Sequence, residues 1–518
     1  MKGRHFISEI SGRVREDFVT SRRVLTFDEY LDEVAARPGL LLRNAAQYLH
    51  DAILAAGRTR LDRAYGRVHR YGLFDMDAAG GRGRVVGQEE VQEAIFREIQ
   101  AFVRQGSARR LILLHGPNGS AKTSLVQALA KALVSYSHAE DGLLYRFNWI
   151  FPVASPQGKR VGFGAGKGPA AEQKDSYAHL DPRDIAAAVP NELRDHPLFL
   201  LPRAARGELL EGLRSGGGLP EGFRLSDHLL HGDLGPMSRR IFDALLTAAG
   251  GDLAQVLRHV QVERFYLSRR YRRGIVTIEP QLHVDAVARQ LTLEESYGNL
   301  PAVLRHLSFW QFSGDLVDGN RGMVEFSDLL KRPPESFKYL LSSTEKSAVP
   351  VGDSALYLDV VYLGTTNDTH LSAFKQSPDF PSFKGRLHLI RVPYLRDFTV
   401  EKGIYDLQIA EEAPGGRHVA PHATDVVALW GVLTRLRRPR PDLYPDALQG
   451  HVRTLSPMDK VLLYGERRVP PGVPPERRRD VLAIAPELYR EWDDEAVCEG
   501  AFGASPRELK GVLQSAAA

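Results

Sequence analysis

From Phe27 onward the chain reads FDEYLDEVAARPGLLLRNAAQYLHDAI, with apolar residues recurring three and four positions apart. That spacing places one apolar stripe along a helix. Asp28 near the start and Pro38 in the middle predict two short helices over residues 27–60 rather than one. A glycine-rich break at Ala78–Gly83 follows, and VVGQEEVQEAIFREIQAFV then predicts a longer amphipathic helix. Leu111-Ile112-Leu113-Leu114 is a continuous apolar run of strand length, suited to a fully buried strand, and SLVQALAKAL after it returns to helical spacing. Residues 271–293 alternate as strands do, and the run from Asp359 to Gly364 predicts another buried strand ending in Thr365-Thr366-Asn367. From about Glu401 the pattern is mostly helical, interrupted by the linker ERRVPPGVPPERRRD at 466–480. No internal repeat is present.

Between the first buried strand and its helix stands GPNGSAKT, residues 116–123, with Ser124 opening the helix proper. A strand, a glycine-bearing turn and a helix carrying Lys-Thr at the junction is the arrangement of a phosphate-binding loop. Gly116 and Gly119 let the backbone curl around Pro117, Asn118 and Ser120, so that successive N–H groups face inward. The helix N-terminus adds partial positive charge, Lys122 reaches the β- and γ-phosphates, and Thr123 supplies a hydroxyl to magnesium. Ala121 stands where a glycine normally precedes the lysine, and alanine fits there if that residue is already helical. The chain is therefore expected to bind ATP with Mg²⁺. A second glycine-rich stretch, VGFGAGKGPAAEQ at 161–173, lacks the loop spacing and predicts a flexible surface or pore-facing loop.

Composition narrows the class without choosing the chemistry. With 518 residues, 43% of them hydrophobic and 25% charged, the chain has the make-up of an ordinary globular protein of roughly two to four domains. A net charge of +4 argues weakly for nucleic acid, which is not an expected partner. Clusters such as Arg269–Arg273 and Arg435–Arg438 are expected to be solvated faces or intersubunit contacts. Cys498 is the single cysteine, so neither an internal disulfide nor a cysteine zinc site can form. No apolar leader or membrane-length run is evident, which predicts a cytoplasmic protein without membrane contact.

The rest of the chain carries a series of motifs in a fixed order. GNRGMVEFSDLLKRPPESFKYLL at 319–341 runs from a short strand into a helix with Glu325 and Asp328 at the junction. YLGTTN ends at Asn367, FPSFKGRLHLIRVPYL carries Arg386, and FGASPRELKGVL begins a helix with Ser505 as cap and Arg507 in its first turn. This series resembles the AAA+ ATPases. The resemblance implies an α/β core of parallel strands flanked by helices, with a large insertion at about 155–310. It implies that Asp328 polarises water, with Ser327 at the usual metal-binding aspartate and Glu325 compensating; the division between Glu325 and Asp328 stays open. It further implies Asn367 as a polar sensor placing water and Arg386 as an arginine finger reaching a neighbour's γ-phosphate. Arg507 would be a second sensor on a helical lid, and Val86-Gly87 the adenine contact. The trans arginine implies a homo-oligomeric ring, expected to be a hexamer, acting on a protein client.

One family fits more closely. FDEYLDEVAARP, FYLSRRYRRGIVTIEP, NRGMVEFSDLLKRPPESFKYLL, FPSFKGRLHLIRVPYLRDF, HVAPHA and GASPRELKGVL resemble the PrkA-type bacterial proteins known as serine protein kinases. The expected division is an N-terminal helical segment (1–80), the AAA+ domain (81–400) and a helical lid (401–518). Family members continue past the lid into a kinase-like region, which is expected to be lacking here. Protein-kinase HRD and DFG motifs are absent, as are HExxH and GxSxG. His418 and His422 read as lid residues. The leading expectation is a regulatory or protein-remodelling ATPase, and the alternatives are a serine/threonine kinase using the same nucleotide site, an ATP-dependent protease, or a slow nucleotide-regulated binding module.

Overall fold

The computed structural model describes residues 24–76, 83–153, 175–280, 310–351, 354–412, 420–493 and 498–517, with the short pieces 10–11, 287–290, 301 and 304. The expected loop at 161–173, His418, and most of the break at 78–83 lie outside the described residues.

Five strands form the central sheet: β1 (Leu111–His115), β2 (Ile275–Ile278), β3 (Gly322–Phe326), β4 (Val360–Thr366) and β5 (Leu387–Arg391). They lie side by side in the order β5-β1-β4-β3-β2, every neighbouring pair parallel. A parallel sheet needs crossovers that cover both faces, so its strands are apolar throughout rather than alternating. That is why β1, β3 and β4 are buried at every residue.

The helices that matter for the site are α1 (Phe27–Ala36), α2 (Ala45–Ala55), α3 (Glu89–Gln105), α4 (Lys122–His138), α5 (Asp368–Lys375), α6 (Phe398–Glu412), α7 (Ala423–Leu433) and α8 (Pro506–Ala517). Ile112 and Leu114 of β1 pack with α2, α3 and α4 on one face of the sheet. Leu111 and Leu113 face the other way, into a core with Val324, Phe326 and Tyr362. The period of two along the strand thus divides one apolar run between two cores.

The region between α4 and β2 builds an antiparallel sheet of its own from Val24–Leu25, Val260–Arg264, Tyr145–Pro152 and Ile185–Pro190. Its core centres on Trp149, Phe199 and Ile241, and α1 contributes Phe27, Tyr30 and Val34 to it. The N-terminal segment is shared among three cores. While α1 joins the insertion, α2 places Ala45, Tyr48 and Leu49 against the central sheet. Beyond α2 the helical course ends at Gly57 (φ +79), and Arg58–Arg63 pairs with Gly66–Tyr71 as a hairpin where helix was expected. The hairpin lays Tyr65 flat against Tyr489 of the lid, ring centroids 4.1 Å apart.

Helix starts follow local chemistry. Thr26, rather than Asp28, caps α1 in a reciprocal box with Glu29. Ser505 caps α8 in the same way, its Oγ accepting the Glu508 N–H at 3.1 Å while the Glu508 carboxylate accepts the Ser505 N–H at 2.8 Å. No helix among the described residues is long and apolar enough to cross a membrane.

Candidate nucleotide site

The chain leaves β1 at His115, whose Nδ1 lies 2.7 Å from the carboxylate of Asp368, the first residue of α5. It then turns sharply. Gly116 has φ +152, and a Cβ there would stand 2.2 Å from the carbonyl oxygen of Val392. Gly119 has φ +83 and faces the lid, where a Cβ would meet that of Arg507 at 3.4 Å. Gly116 is therefore required by close approach as well as conformation, and Gly119 by its left-handed conformation alone.

Lys122 opens α4 and folds its side chain into the curl, with Nζ donating to the carbonyls of Gly116 at 2.8 Å and Pro117 at 2.7 Å. Burial pushes its pKa down, opposed by the carboxylates of Asp368 and Asp328. Ala121 departs from the expectation that it is helical. Its φ of +73 and ψ of +15 are left-handed, the conformation that favours glycine. The loop's path demands that torsion whichever side chain is present, so the alanine is strained rather than accommodated.

A cavity of about 750 Å³ opens over the loop. Asn118, Gly119, Ser120, Ala121, Lys122, Thr123 and Ser124 line it from the loop and Val86 from the segment before α3. Asp328 lines it from the end of β3 and Arg507 from the lid. Its walls carry five basic side chains (Arg84, Lys122, Lys331, Arg507 and Lys510) against one carboxylate, Asp328. A surplus of cations beside a glycine turn that leads into a helix N-terminus suits a polyphosphate. Leu395, Ile404 and Leu407 add apolar surface of the kind that covers a base. Gly87 does not line the cleft; its carbonyl accepts from Arg70 and Gln92, and a Cβ would collide with Leu395 at 2.7 Å.

The two expected carboxylates part company. Asp328 adopts φ +46, its N–H donates to Thr365 Oγ1 at 3.1 Å, and its carboxylate pairs with Lys331 at 2.6 Å. Glu325 lies lower in the sheet, level with Leu363 of β4 and, through it, Ile112 of β1. It accepts from the hydroxyl of Thr277, directly opposite on β2, at 2.9 Å. Burial raises its pKa, opposed by Thr277 and Arg269. Glu325 is thus not brought to the cleft, and nothing in its placement compensates for Ser327. Among the described residues no three His, Cys, Asp or Glu side chains gather as a metal cage. The oxygens at hand, the Thr123 hydroxyl and the Asp328 carboxylate, fit a magnesium ion that arrives already bound to phosphate.

Asn367 and Arg386 sit outside the cleft. Asn367 follows β4 and caps α5, its Oδ1 accepting the His370 N–H at 2.9 Å. Thr365, two residues earlier, is the β4 side chain that reaches the cavity. Arg386 precedes β5 at the end of the sheet where the strands begin, whereas the loop stands where β1 finishes. A five-residue strand spans about 16 Å, so Arg386 cannot serve the loop of its own chain. Its guanidinium donates to Ser382 O at 2.8 Å and to Glu345 at 2.7 Å, and is one-third exposed.

The sequence reading missed Lys331, Thr365, Tyr394 and Lys510. Lys510 had a signal, since it lies three residues after Arg507 and so on the same helix face. The Arg435–Arg438 cluster, expected as a solvated face or an intersubunit contact, is divided: Arg438 is exposed, whereas the other two arginines turn inward. Arg435 is fully buried against Glu401, and Arg437 stacks on Trp492 and Phe502. His422 is exposed and pairs with Asp425.

Comparison with known proteins agrees with this architecture. The family model described as PrkA AAA domain matches residues 164–441, more than half of the chain. The "ATP-dependent protease PrkA" of Bacillus subtilis (strain 168) is 25% identical over 420 residues, which are 80% of this chain and 55% of that protein. "Serine/threonine kinase YeaG" of Escherichia coli (strain K12) is 25% identical over 130 residues, 25% of this chain and 20% of that one. The chain thus spans about half the length of the first relative and a fifth of the second. A crystal structure of NtrX from Brucella abortus in complex with ATP aligns over 83% of this chain and 69% of that one. Its identity of 11% and TM-score of 0.27 carry no argument. With the matched family model and a five-stranded parallel sheet flanked by helices, the chain belongs to the PrkA AAA domain family.

Proposed function

We propose that this protein binds and hydrolyses ATP as an oligomeric PrkA-type AAA+ ATPase with a regulatory or protein-remodelling role. One observation carries the reading: Lys122, Thr123, Asp328 and Arg507, from three separate stretches of chain, line a single cation-rich cavity. In this reading Lys122 and the loop N–H groups hold the phosphates, and Thr123 offers its hydroxyl to the magnesium that accompanies them. The metal supplies charge neutralisation on the phosphate oxygens. Asp328, its backbone N–H hydrogen-bonded to Thr365, orients the attacking water and accepts its proton. Arg507 closes the lid side over the phosphates.

Arg386 completes the site of an adjacent subunit. Its distance from its own loop and its partial exposure support delivery in trans, which would tie hydrolysis to assembly. The names of the two relatives both imply ATP chemistry but differ in its outcome. Whether phosphate goes to water or to a protein serine is therefore the first experiment. Phosphate release from γ-labelled ATP is followed against protein concentration beside transfer to a generic protein acceptor. Release that rises more than proportionally with concentration supports the proposal. Label on serine with little free phosphate would replace it with the kinase reading.

A further inference from the structure

We propose that Tyr394 and the buried Arg435–Glu401 pair form a strut that positions Arg507 over the phosphate loop. The inference rests on the proposal that Arg507 contacts nucleotide phosphate, and it adds the residues that set where Arg507 stands.

Tyr394 follows β5 and is 6% exposed. Its hydroxyl donates to the carbonyl of Asn118, inside the phosphate loop, at 2.6 Å. On its other side, the ring centroid lies 5.0 Å from the guanidinium carbon of Arg435. Arg435 belongs to the lid, just beyond α7, and both it and Glu401 of α6 have side chains with no exposure at all.

A guanidinium has five N–H groups, and all five are used. Nη1 donates to Glu401 and to the carbonyl of Leu395, the latter at 2.8 Å. Nη2 donates to Glu401 at 2.8 Å and to the carbonyl of Ala504 at 2.7 Å, and Nε donates to Ala504 at 3.0 Å. One side chain thereby ties the segment after β5, helix α6 and the turn before α8. Ala504 is further held by its N–H on Thr434 Oγ1 at 2.9 Å. Ser505 then caps α8 and Arg507 projects from its first turn, against Gly119.

Burying an ion pair is a poor route to stability, because apolar residues of similar volume do as well or better. What a fully satisfied guanidinium provides is a single geometry, since tilting the lid would leave buried N–H groups without acceptors. The contacts run without a gap from Asn118 in the loop to Ala504 beside Arg507. A shift of the loop carbonyl when phosphate binds therefore loads Tyr394 and, through it, the lid. Arg435 and Glu401 stand outside the cavity and are positioning residues; Tyr394 borders it, but its hydroxyl is committed to the Asn118 carbonyl.

The test is a double-mutant cycle on equilibrium binding of a fluorescent ATP analogue to the full chain. Tyr394→Phe keeps the ring against Arg435 and removes the hydroxyl, with its donation to Asn118 and its contact with Ser505 at the head of α8. It is expected to weaken binding about fivefold while leaving the melting temperature nearly unchanged. Arg507→Ala should cost at least about threefold less in the Tyr394→Phe background than in the parent. Additive effects, within about twofold, would overturn the strut. Lys122→Ala is the control for the underlying reading. If it binds the analogue as the parent does, the nucleotide site itself is misassigned and the strut falls with it. If it loses binding while the cycle is additive, only the strut fails.

Discussion

The backbone N–H of Asp328 donates to the hydroxyl of Thr365 at 3.1 Å, tying the end of β3 to the end of β4 beside the Gly116–Thr123 loop. The bond sets the aspartate at φ +46, in a left-handed conformation that a non-glycine residue adopts at a cost. Its carboxylate faces the cleft as a result. Such strain beside the loop is consistent with a residue placed for chemistry.

Asp328→Asn should therefore lower ATP turnover at least about 100-fold, within the range ascribed to a positioned general base, and leave nucleotide affinity nearly unchanged. Glu325→Gln should leave turnover within about twofold, because that carboxylate bonds Thr277 and does not reach the cleft. Steady-state phosphate release on the two variants decides between them. Loss of turnover in Glu325→Gln alone would reverse the assignment.

Glu325 also makes a pH prediction. Burial raises its folded-state pKa above the usual carboxylate value, so the folded chain holds a proton that the unfolded chain has released. Its contribution to stability thus falls as pH rises from the ordinary glutamate range, about 4.3, through the raised value. Glu325→Gln keeps an acceptor for Thr277 and removes this titration. The variant should gain stability over the parent as pH rises from about 4, below the ordinary glutamate value, to about 8, measured by urea unfolding at each pH. An unchanged difference across that range would contradict the raised pKa.

Ala121 at φ +73 occupies a conformation that costs an L-residue roughly 1–2 kcal/mol. Ala121→Gly should stabilise the chain by about 0.5–1 kcal/mol after glycine's larger unfolded-state entropy is subtracted. A small rise in unfolding midpoint with nucleotide affinity retained is the expected result. A fall would mean that the alanine methyl contributes packing that outweighs the strain.

Lys122→Ala should abolish detectable nucleotide binding, whereas Arg386→Ala should leave it intact and reduce hydrolysis about 1,000-fold, as loss of a trans arginine does. Equilibrium binding and phosphate release on both variants check this. Because Arg386 pairs with Glu345 in the isolated chain, mixing Arg386→Ala with Lys122→Ala subunits offers a direct readout. Recovered activity would come only from sites that combine the intact loop of an Arg386→Ala subunit with the intact arginine of a Lys122→Ala subunit, so the mixed protein should exceed either variant alone.

Lys331 lies in the cleft with Nζ 2.6 Å from the Asp328 carboxylate, an exposed pair expected to contribute little to stability. Lys331→Met should leave the melting temperature unchanged and alter turnover by freeing Asp328. An unaltered rate would mean that the pair gives way once nucleotide is bound.

Features that neighbouring residues control were legible in the chain. Apolar runs of strand length marked β1 and β4, glycine spacing with Lys122-Thr123 marked the loop, and Ser505-Pro506 marked the start of α8. Each depends on torsions and hydrogen bonds within a few residues, so a linear pattern carries the signal. Tertiary structure alone decided which chemistry-bearing residues meet. Strand order sets the levels of Glu325 and Asp328, and pairing with β2 turns the first toward Thr277. Asn367 looked like a sensor, but its oxygen caps α5, while Thr365 reaches the cavity from the same strand. The burial of Arg435 is invisible in its run of arginines because its partner Glu401 and its acceptor Ala504 are remote in sequence. Contacts between residues so far apart depend on how sheet, insertion and lid pack, and no local pattern of side chains encodes that packing.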